Sequence, residues 1–310
     1  MIGLYIALGI LVSLIIGHFT AIYFIFLKFF HRISDQKIDK ETHTNSYAQP
    51  YLEEIYKYRK EVESYPCQTL YISSFDNLKL SARFYDRKSD KTIIMVHGFH
   101  ANPFHNFAYQ IKYFLDKDYN ILLVNQRAHT GSEGKYSTYG QKEYRDILAW
   151  VDLMCNNYKA NAVYLYGISM GATAICYASE QIYNSKVKGL IIESGFTSVN
   201  ELVKHITTSQ HVPAFFFQRG VKFLSRHLAG VRWENNRTTD SLKKNLVPAI
   251  FVHGTKDTIA IESFFEDNYK SCFSNKYQII VEGAPHGLCA LHDKENYLDK
   301  LNKIMGELYE

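Results

Sequence analysis

The chain has 310 residues, enough for one large domain or two small ones, and its 46% hydrophobic and 21% charged residues make an ordinary globular composition. A net charge of +4 is too mild to argue for a nucleic-acid partner. The five cysteines (Cys67, Cys155, Cys176, Cys272 and Cys289) are scattered and form no C-x-x-C pair, which speaks against a zinc site or a disulfide framework and favours a reducing compartment.

From Ile2 to Leu27 there is no charged side chain, a run long enough to span a hydrocarbon core of about 30 Å. A cleaved signal peptide fits less well, because no basic stretch precedes the run, the run is too long, and no small-x-small cleavage site follows. Lys28, Arg32, Lys37 and Lys40 follow it, and only the terminal amine precedes it. The positive-inside rule then puts the bulk of the chain in the cytoplasm, and the interleaved Asp35, Asp39 and Glu41 weigh little in that rule. Residues 1–30 are thus expected to be a transmembrane anchor. Residues 31–66 are polar and rich in Tyr, Lys and Glu, and read as a linker carrying a short helix through Tyr51–Tyr56.

Residues 67–310 read as the main domain. Thr69–Ser73 and Lys79–Tyr85 alternate apolar and polar around Asp76-Asn77, the pattern of an antiparallel hairpin. Short apolar strands follow at Thr92–Val96, Ile121–Asn125, Ala162–Tyr166, Val187–Glu193, Ala249–Val252 and Tyr277–Val281. Helical stretches lie between them near Phe104–Lys117, Lys142–Asn156, Ala172–Gln181 and Ile261–Ser271. That alternation predicts an α/β fold with a mostly parallel central sheet flanked by helices. Chemistry in such sheets collects at the carboxyl ends of the strands. The long interval at residues 197–248 holds Phe215–Phe217, Arg219, Lys222, Arg226 and Arg232, and is expected to form a small helical cap.

Gly167-Ile168-Ser169-Met170-Gly171 lies between a strand and a helix, the context that makes G-x-S-x-G a nucleophile elbow. A serine hydroxyl needs a base, an orienter for that base, and donors for an oxyanion. Strand Ala249–Val252 runs into His253-Gly254-Thr255-Lys256-Asp257, and strand Tyr277–Val281 into Gly283-Ala284-Pro285-His286-Gly287. The expected catalytic residues are therefore Ser169, Asp257 and His286, in that chain order. The expected oxyanion donors are the backbone N–H groups of Met170 and of Phe99, in the loop after Thr92–Val96.

These segments, with Glu193-Ser194-Gly195-Phe196 and Asn125–Gly134, resemble an α/β-hydrolase-fold serine hydrolase from about Thr69 to the C-terminus. More narrowly, the chain is similar to membrane-anchored bacterial hydrolases with a serine aminopeptidase-like domain. In that family the segment at Asn125–Gly134 usually reads D-x-R-G/A-H-G-x-S-x-G, and here Asn125 replaces the acid and Thr130 a glycine. The segment is structural in the family, so the departures bear on loop geometry and on the ion-pair partner of Arg127. The resemblance implies hydrolysis of esters, thioesters or small amides with no cofactor and no metal.

Duller roles compete for several of these residues. Glu193, at the end of an earlier strand, is the rival acid, and His253 and His292 are rival bases. His253 is expected to pack behind the acid loop and His292 to face solvent. His97, Arg127 and His129 are expected to brace loops. The cap has two readings: a solvated helix with its Phe residues turned into the core or over the pocket, or a surface that rests on an anionic membrane. The expected partners are a small acyl-ester or peptide substrate and the membrane, with no nucleic acid. The basic cap counts against an aminopeptidase, which needs a negative subsite for the substrate amine, and an intact triad counts against a non-catalytic scaffold.

Overall fold

Strands apolar on both faces need helices on both sides, and the computed structural model shows that arrangement. It describes residues 1–34, 37, 47–101, 103–210, 214–234 and 236–309. Lys40, Asp35, Asp39 and Glu41, used above for orientation, and the linker stretch at 41–46 lie outside the described residues.

Eight strands form one sheet: β1 (Gln68–Ser73), β2 (Lys79–Tyr85), β3 (Lys91–Val96), β4 (Asn120–Val124), β5 (Ala162–Ile168), β6 (Val187–Glu193), β7 (Ala249–Gly254) and β8 (Lys276–Val281). Their spatial order is β1-β2-β4-β3-β5-β6-β7-β8. The β1–β2 hairpin is antiparallel and β2 also runs antiparallel to β4, whereas every pair from β4 to β8 is parallel. Chain order reverses around β3, the kind of switch point where α/β sheets open a crevice at their carboxyl edge.

Period-two alternation divides the core. Ile93, Met95, Tyr164 and Tyr166 face α2 (Leu52–Glu63), α3 (Pro103–Asp116) and the last helix, Cys289–Tyr309. Ile94, Val96, Val163 and Leu165 face the other layer, built on α4 (Glu143–Asn156) and α5 (Met170–Ala178). Most elements differ from the sequence expectation by a residue or two at their ends, and two of these boundaries bear on the site. The α5 helix begins at Met170 rather than Ala172, because no loop separates it from β5. β4 ends at Val124, and the N–H of Asn125 turns away to the carbonyl of Ser81 at 3.0 Å.

The first helix, α1 (Ile2–Phe30), is the one helix among the described residues long and apolar enough to cross a membrane. Every residue from Met1 to Thr20 is exposed. Beyond that point Ile22, Phe26 and Phe30 are buried, in one cluster with Met170, Phe196, Val221 and Trp233. Its end is stitched to the segment after β4. Ser137 N–H donates to Phe30 O at 2.8 Å, Tyr139 Oη–H to Phe29 O at 2.8 Å, and Arg32 N–H to Lys135 O at 2.9 Å.

The interval at residues 197–248, expected as a cap, contains α6 (Val199–Ser209), α7 (Phe215–Leu224), a π-helical turn at Ser225–Ala229 and α8 (Thr238–Leu242), and none of its described residues lines the cavity over Ser169. Ser198 Oγ accepts the N–H of Glu201 at 3.2 Å and caps α6. Phe217 is half-buried against α1, but Phe215 and Phe216 are exposed, turned neither into the core nor over the sheet. Between β7 and β8 lies α9 (Glu262–Ser271), and the chain ends with α10 (Cys289–Tyr309), interrupted at Lys294.

The departures at Asn125 and Thr130 are accommodated locally. Asn125 donates from Nδ2 to Ser81 Oγ at 2.9 Å, and Thr130 adopts a φ of 36°, a conformation costly for a β-branched residue. Its carbonyl and that of Ser132 both accept hydrogen bonds from the Arg32 guanidinium. Arg127, buried, pairs with Asp146 through two hydrogen bonds of 2.7 and 2.8 Å and with Asp76 through two of 2.9 and 3.1 Å. Arg127→Ala strips a buried carboxylate of its partner and should cost about 3–5 kcal/mol. Chemical denaturation in detergent should show that loss, and an unchanged midpoint would contradict the bracing role.

Candidate active site

A serine reaches the open edge of a sheet when the chain turns sharply from strand to helix. At Ser169 φ is 55° and ψ is −115°, a conformation that non-glycine residues rarely hold. Close packing leaves no alternative. A Cβ at Gly171 would lie 2.0 Å from the carbonyl oxygen of Val96, and one at Gly167 would lie 2.5 Å from the nitrogen of Ala172. Only glycine fits at both positions, so the elbow is wedged between the ends of β3 and β5. Ser169 N–H donates to Glu193 O at 2.9 Å, and Ser169 O accepts the first helical bond of α5 from Thr173 N–H at 2.9 Å.

The residues expected to assist the serine come together around it. Ser169 Oγ lies 2.9 Å from His286 Nε2. On the far side of the ring, Nδ1 lies 2.8 Å from Asp257 Oδ2 and 3.0 Å from Oδ1. The Asp257 side chain is 0% exposed and that of His286 10%, so the acid is sealed from water while the ring opens on the site. Burial alone would raise the Asp257 pKa, but His286 and hydrogen bonds outweigh it and hold the carboxyl below its ordinary value. Among those bonds, Asp257 Oδ1 accepts the N–H groups of Ile259 and Ala260, both at 2.9 Å. An ionised Asp257 makes Nδ1 the protonated nitrogen and leaves Nε2 free to accept the serine proton.

Met170 is the first residue of α5, where the helix leaves backbone donors without internal partners. Phe99 sits in the loop after β3. There Gly98 N–H donates to Asn106 Oδ1 at 2.7 Å, and a Cβ on Gly98 would come within 3.4 Å of Ser169 Cβ. The Phe99 ring stacks on Tyr139 at 5.0 Å. His97, behind it, is buried, and burial pulls its pKa down to about 3, so the ring is neutral. It donates from Nδ1 to Gly98 O at 2.7 Å and accepts Gln126 N–H on Nε2 at 3.1 Å.

The rival residues lie elsewhere. Glu193 is fully buried beneath the elbow, with its carboxylate taken by Tyr166 Oη–H at 2.6 Å and Cys289 N–H at 3.1 Å rather than by His286. His253 stacks on Phe265 at 5.3 Å. His292 is exposed and lies 2.7 Å from Tyr51 Oη. His129 accepts the N–H of His100 on Nε2 at 3.1 Å and donates from Nδ1 to Arg127 O at 2.9 Å, bracing the loop.

A cavity of about 240 Å³ opens over Ser169 and His286. Three of its lining residues come from the segment between α1 and β1: Ile55 from the helix expected there, and Tyr47 and Ala48 from the stretch before it, which the sequence presents only as a linker. Tyr47 meets the His286 ring edge-on at 6.1 Å. Ser194 was also missed. Its φ is 56°, its Oγ accepts Gly287 N–H at 3.2 Å, and its side chain also helps hold the Asp257 carboxyl ionised. A second strained residue right after a strand end has no one-dimensional signature beyond the Ser194-Gly195 pair.

A family model described as the alpha/beta hydrolase fold matches residues 91–228. An uncharacterised protein of Bacillus subtilis, YqkD, is 24% identical over 220 residues, covering 70% of this chain and 72% of its own. Among solved structures, the Pyrococcus furiosus esterase Pf2001 superposes with a TM-score of 0.66 at 22% identity, over 80% of this chain and 94% of the esterase. The esterase EaEST of Exiguobacterium antarcticum gives 0.57 at 19% identity, over 76% and 98% of the two chains. Est1E of Butyrivibrio proteoclasticus, solved with ferulic acid bound, gives 0.58 at 19%, over 77% and 98%.

The wedge around the elbow is testable. Gly171→Ala should abolish any serine-dependent chemistry, whereas Gly306→Ala, which meets nothing within 4 Å, should leave it intact. Equal reactivity of the two variants toward a serine-directed probe would show that the close approach is dispensable.

Proposed function

We propose that this chain, an α/β-hydrolase-fold protein, is a serine hydrolase that cleaves a carboxylic ester or thioester through an acyl-enzyme. The observation that carries the proposal is the unbroken relay from strained Ser169 through His286, at 2.9 Å, to sealed Asp257, at 2.8 Å. Ser169 Oγ attacks the acyl carbonyl carbon while its proton passes to His286 Nε2. The oxyanion of the tetrahedral intermediate accepts hydrogen bonds from Met170 and Phe99 N–H. Collapse breaks the bond to the alkoxide or thiolate leaving group, which takes the proton from Nε2. Water, deprotonated by His286, attacks the acyl-serine and releases the carboxylic acid and free Ser169.

The cavity lining disfavours peptidase activity of the aminopeptidase type. No described residue lining the cavity is a carboxylate that would hold a substrate ammonium group. The esterase names of the structural neighbours agree with the ester reading.

We also propose that α1 anchors the enzyme in the membrane with residues 67–310 in the cytoplasm. Burial of Ile22, Phe26 and Phe30 inside the cap cluster supports retention of α1 over cleavage as a signal peptide, since removal would strip that cluster. The basic residues Lys28, Arg32 and Lys37 on its C-terminal side support the orientation.

Ser169→Ala should abolish labelling of the full chain by a fluorophosphonate probe, and persistent labelling would refute the nucleophile. Asp257→Asn should keep the fold but lower ester turnover by about 10⁴-fold, as expected when the histidine loses the correct tautomer. Ala48→Phe should shift the preferred nitrophenyl ester toward shorter acyl chains. An unchanged chain-length profile would remove the linker from the acyl pocket.

A further inference from the structure

The exposed and buried parts of α1 meet at a definite level. At 1.5 Å per residue the exposed stretch from Ile2 to Thr20 is roughly 28 Å long, close to the thickness of a hydrocarbon core. The remainder is held by the cap cluster and by backbone hydrogen bonds, so the anchor is not a loose tether. Contact with the domain begins on one face of α1 around His18–Ile22, and that level sets the domain's height above the bilayer.

The cap helix α7 lies at that level. The His18 ring stacks on Phe217 at 5.5 Å, and a Cβ at Gly220 would come within 2.6 Å of the Ile22 side chain. The face of α7 turned away from this contact carries Phe215 at 70%, Phe216 at 57% and Phe223 at 59% exposure, followed by Leu228 at 47%. Arg219, Arg226 and His227 are exposed among them, and the stretch Phe215–Ala229 contains no acidic residue. Phe19, Tyr23 and Phe24 continue the exposed apolar surface along α1. Large apolar rings interleaved with cations, on a helix beside a span, have the composition of an element lying in the bilayer interface.

We infer that α7 and the turn Ser225–Ala229 form a bilayer-contact face, with the phenylalanine rings at the acyl–headgroup boundary and Arg219 and Arg226 on anionic lipid phosphates. The inference rests on α1 being a membrane span, as proposed above. A second copy of the chain is the less fitting occupant, because a two-fold contact through Phe215–Ala229 would set Arg219, Arg226 and their copies against each other, and Glu234, the carboxylate beside Arg226, is already paired with Lys222 at 2.8 Å. The cavity lies about 16 Å further along α1, at its domain-side end. His100, which lines it, lies with Nε2 3.3 Å from the carbonyl oxygen of His31, at the end of α1.

Depth-dependent fluorescence quenching tests this on the full chain in nanodiscs of phosphatidylcholine and phosphatidylglycerol. Leu11→Trp, Phe216→Trp and Tyr183→Trp are each compared with wild type, whose buried Trp150 and Trp233 give a common background. Lipids brominated deep in the acyl chain should quench the tryptophan at position 11, and lipids brominated near the headgroup the one at 216. Neither should quench the one at 183, which replaces an exposed residue after α5. Quenching at 11 with none at 216 would overturn the contact face and leave the anchor standing. Two chains per disc together with an unquenched 216 would overturn it in favour of a dimer. Absence of quenching at 11 would overturn the anchor and the contact face together.

Discussion

The site depends on one constraint, the approach of the Gly171 backbone to the end of β3. With a would-be Cβ only 2.0 Å from Val96 O, no side chain fits, and α5 can start immediately after β5. Ser169 absorbs the turn in a conformation that costs of order 1–3 kcal/mol. Such a cost persists only where the surroundings over-determine it. Here the surroundings are the parallel registers of β5 with β3 and with β6 and the buried apolar layers on both sides of them. Core packing therefore sets the position of the hydroxyl, and His286 and Asp257 need only be brought to it.

They are brought by the same edge of the sheet. Asp257 follows β7 and His286 follows β8, and the paired ladder from Ala249 to Gly254 fixes the spacing of their loops. Ser194, after β6, ties the Gly287 backbone and the Asp257 carboxyl into one network. The burial that seals Asp257 is offset by hydrogen bonds and by the histidine, so the acid keeps its charge where an unpaired carboxylate would lose it. On the opposite side, neutral His97 and the hydrogen bonds of His129 hold the loop that carries Phe99. The N-terminal region enters the same assembly, with Arg32 on the Thr130 and Ser132 carbonyls and Tyr47 beside the His286 ring.

Much of this was legible in the sequence because it is written in local periodicity. Strand alternation locates the sheet, and Ser169, Asp257 and His286 lie one, three and five residues past strand ends, where chain order alone suggests that they meet. What was not legible depends on contacts between distant segments. Nothing in Tyr47-Ala48 announces that the linker forms a cavity wall, since its partners lie fifty or more residues away, in three separate stretches of the chain. Arg127 lacks the usual neighbouring acid, and only the fold reveals that Asp76 in the hairpin turn and Asp146 in α4 take its place. The first helix likewise reads as a unit apart from the domain, because its exposed apolar residues and those packed into the domain have the same composition. The helix α5 starts two residues before the stretch expected from Ala172, because a strand-to-helix turn with no loop is exceptional.

The most direct test of the account is to trap the covalent intermediate. The full chain, mixed with a short-chain nitrophenyl ester and acid-quenched within the first turnover, should carry one acyl mass on the peptide spanning Gly167–Gly171, with fragmentation placing it on Ser169. Asp257→Asn should accumulate the same adduct more slowly. An acyl group on any other side chain, or hydrolysis at an undiminished rate with no adduct in that peptide, would contradict the nucleophile on which the account rests.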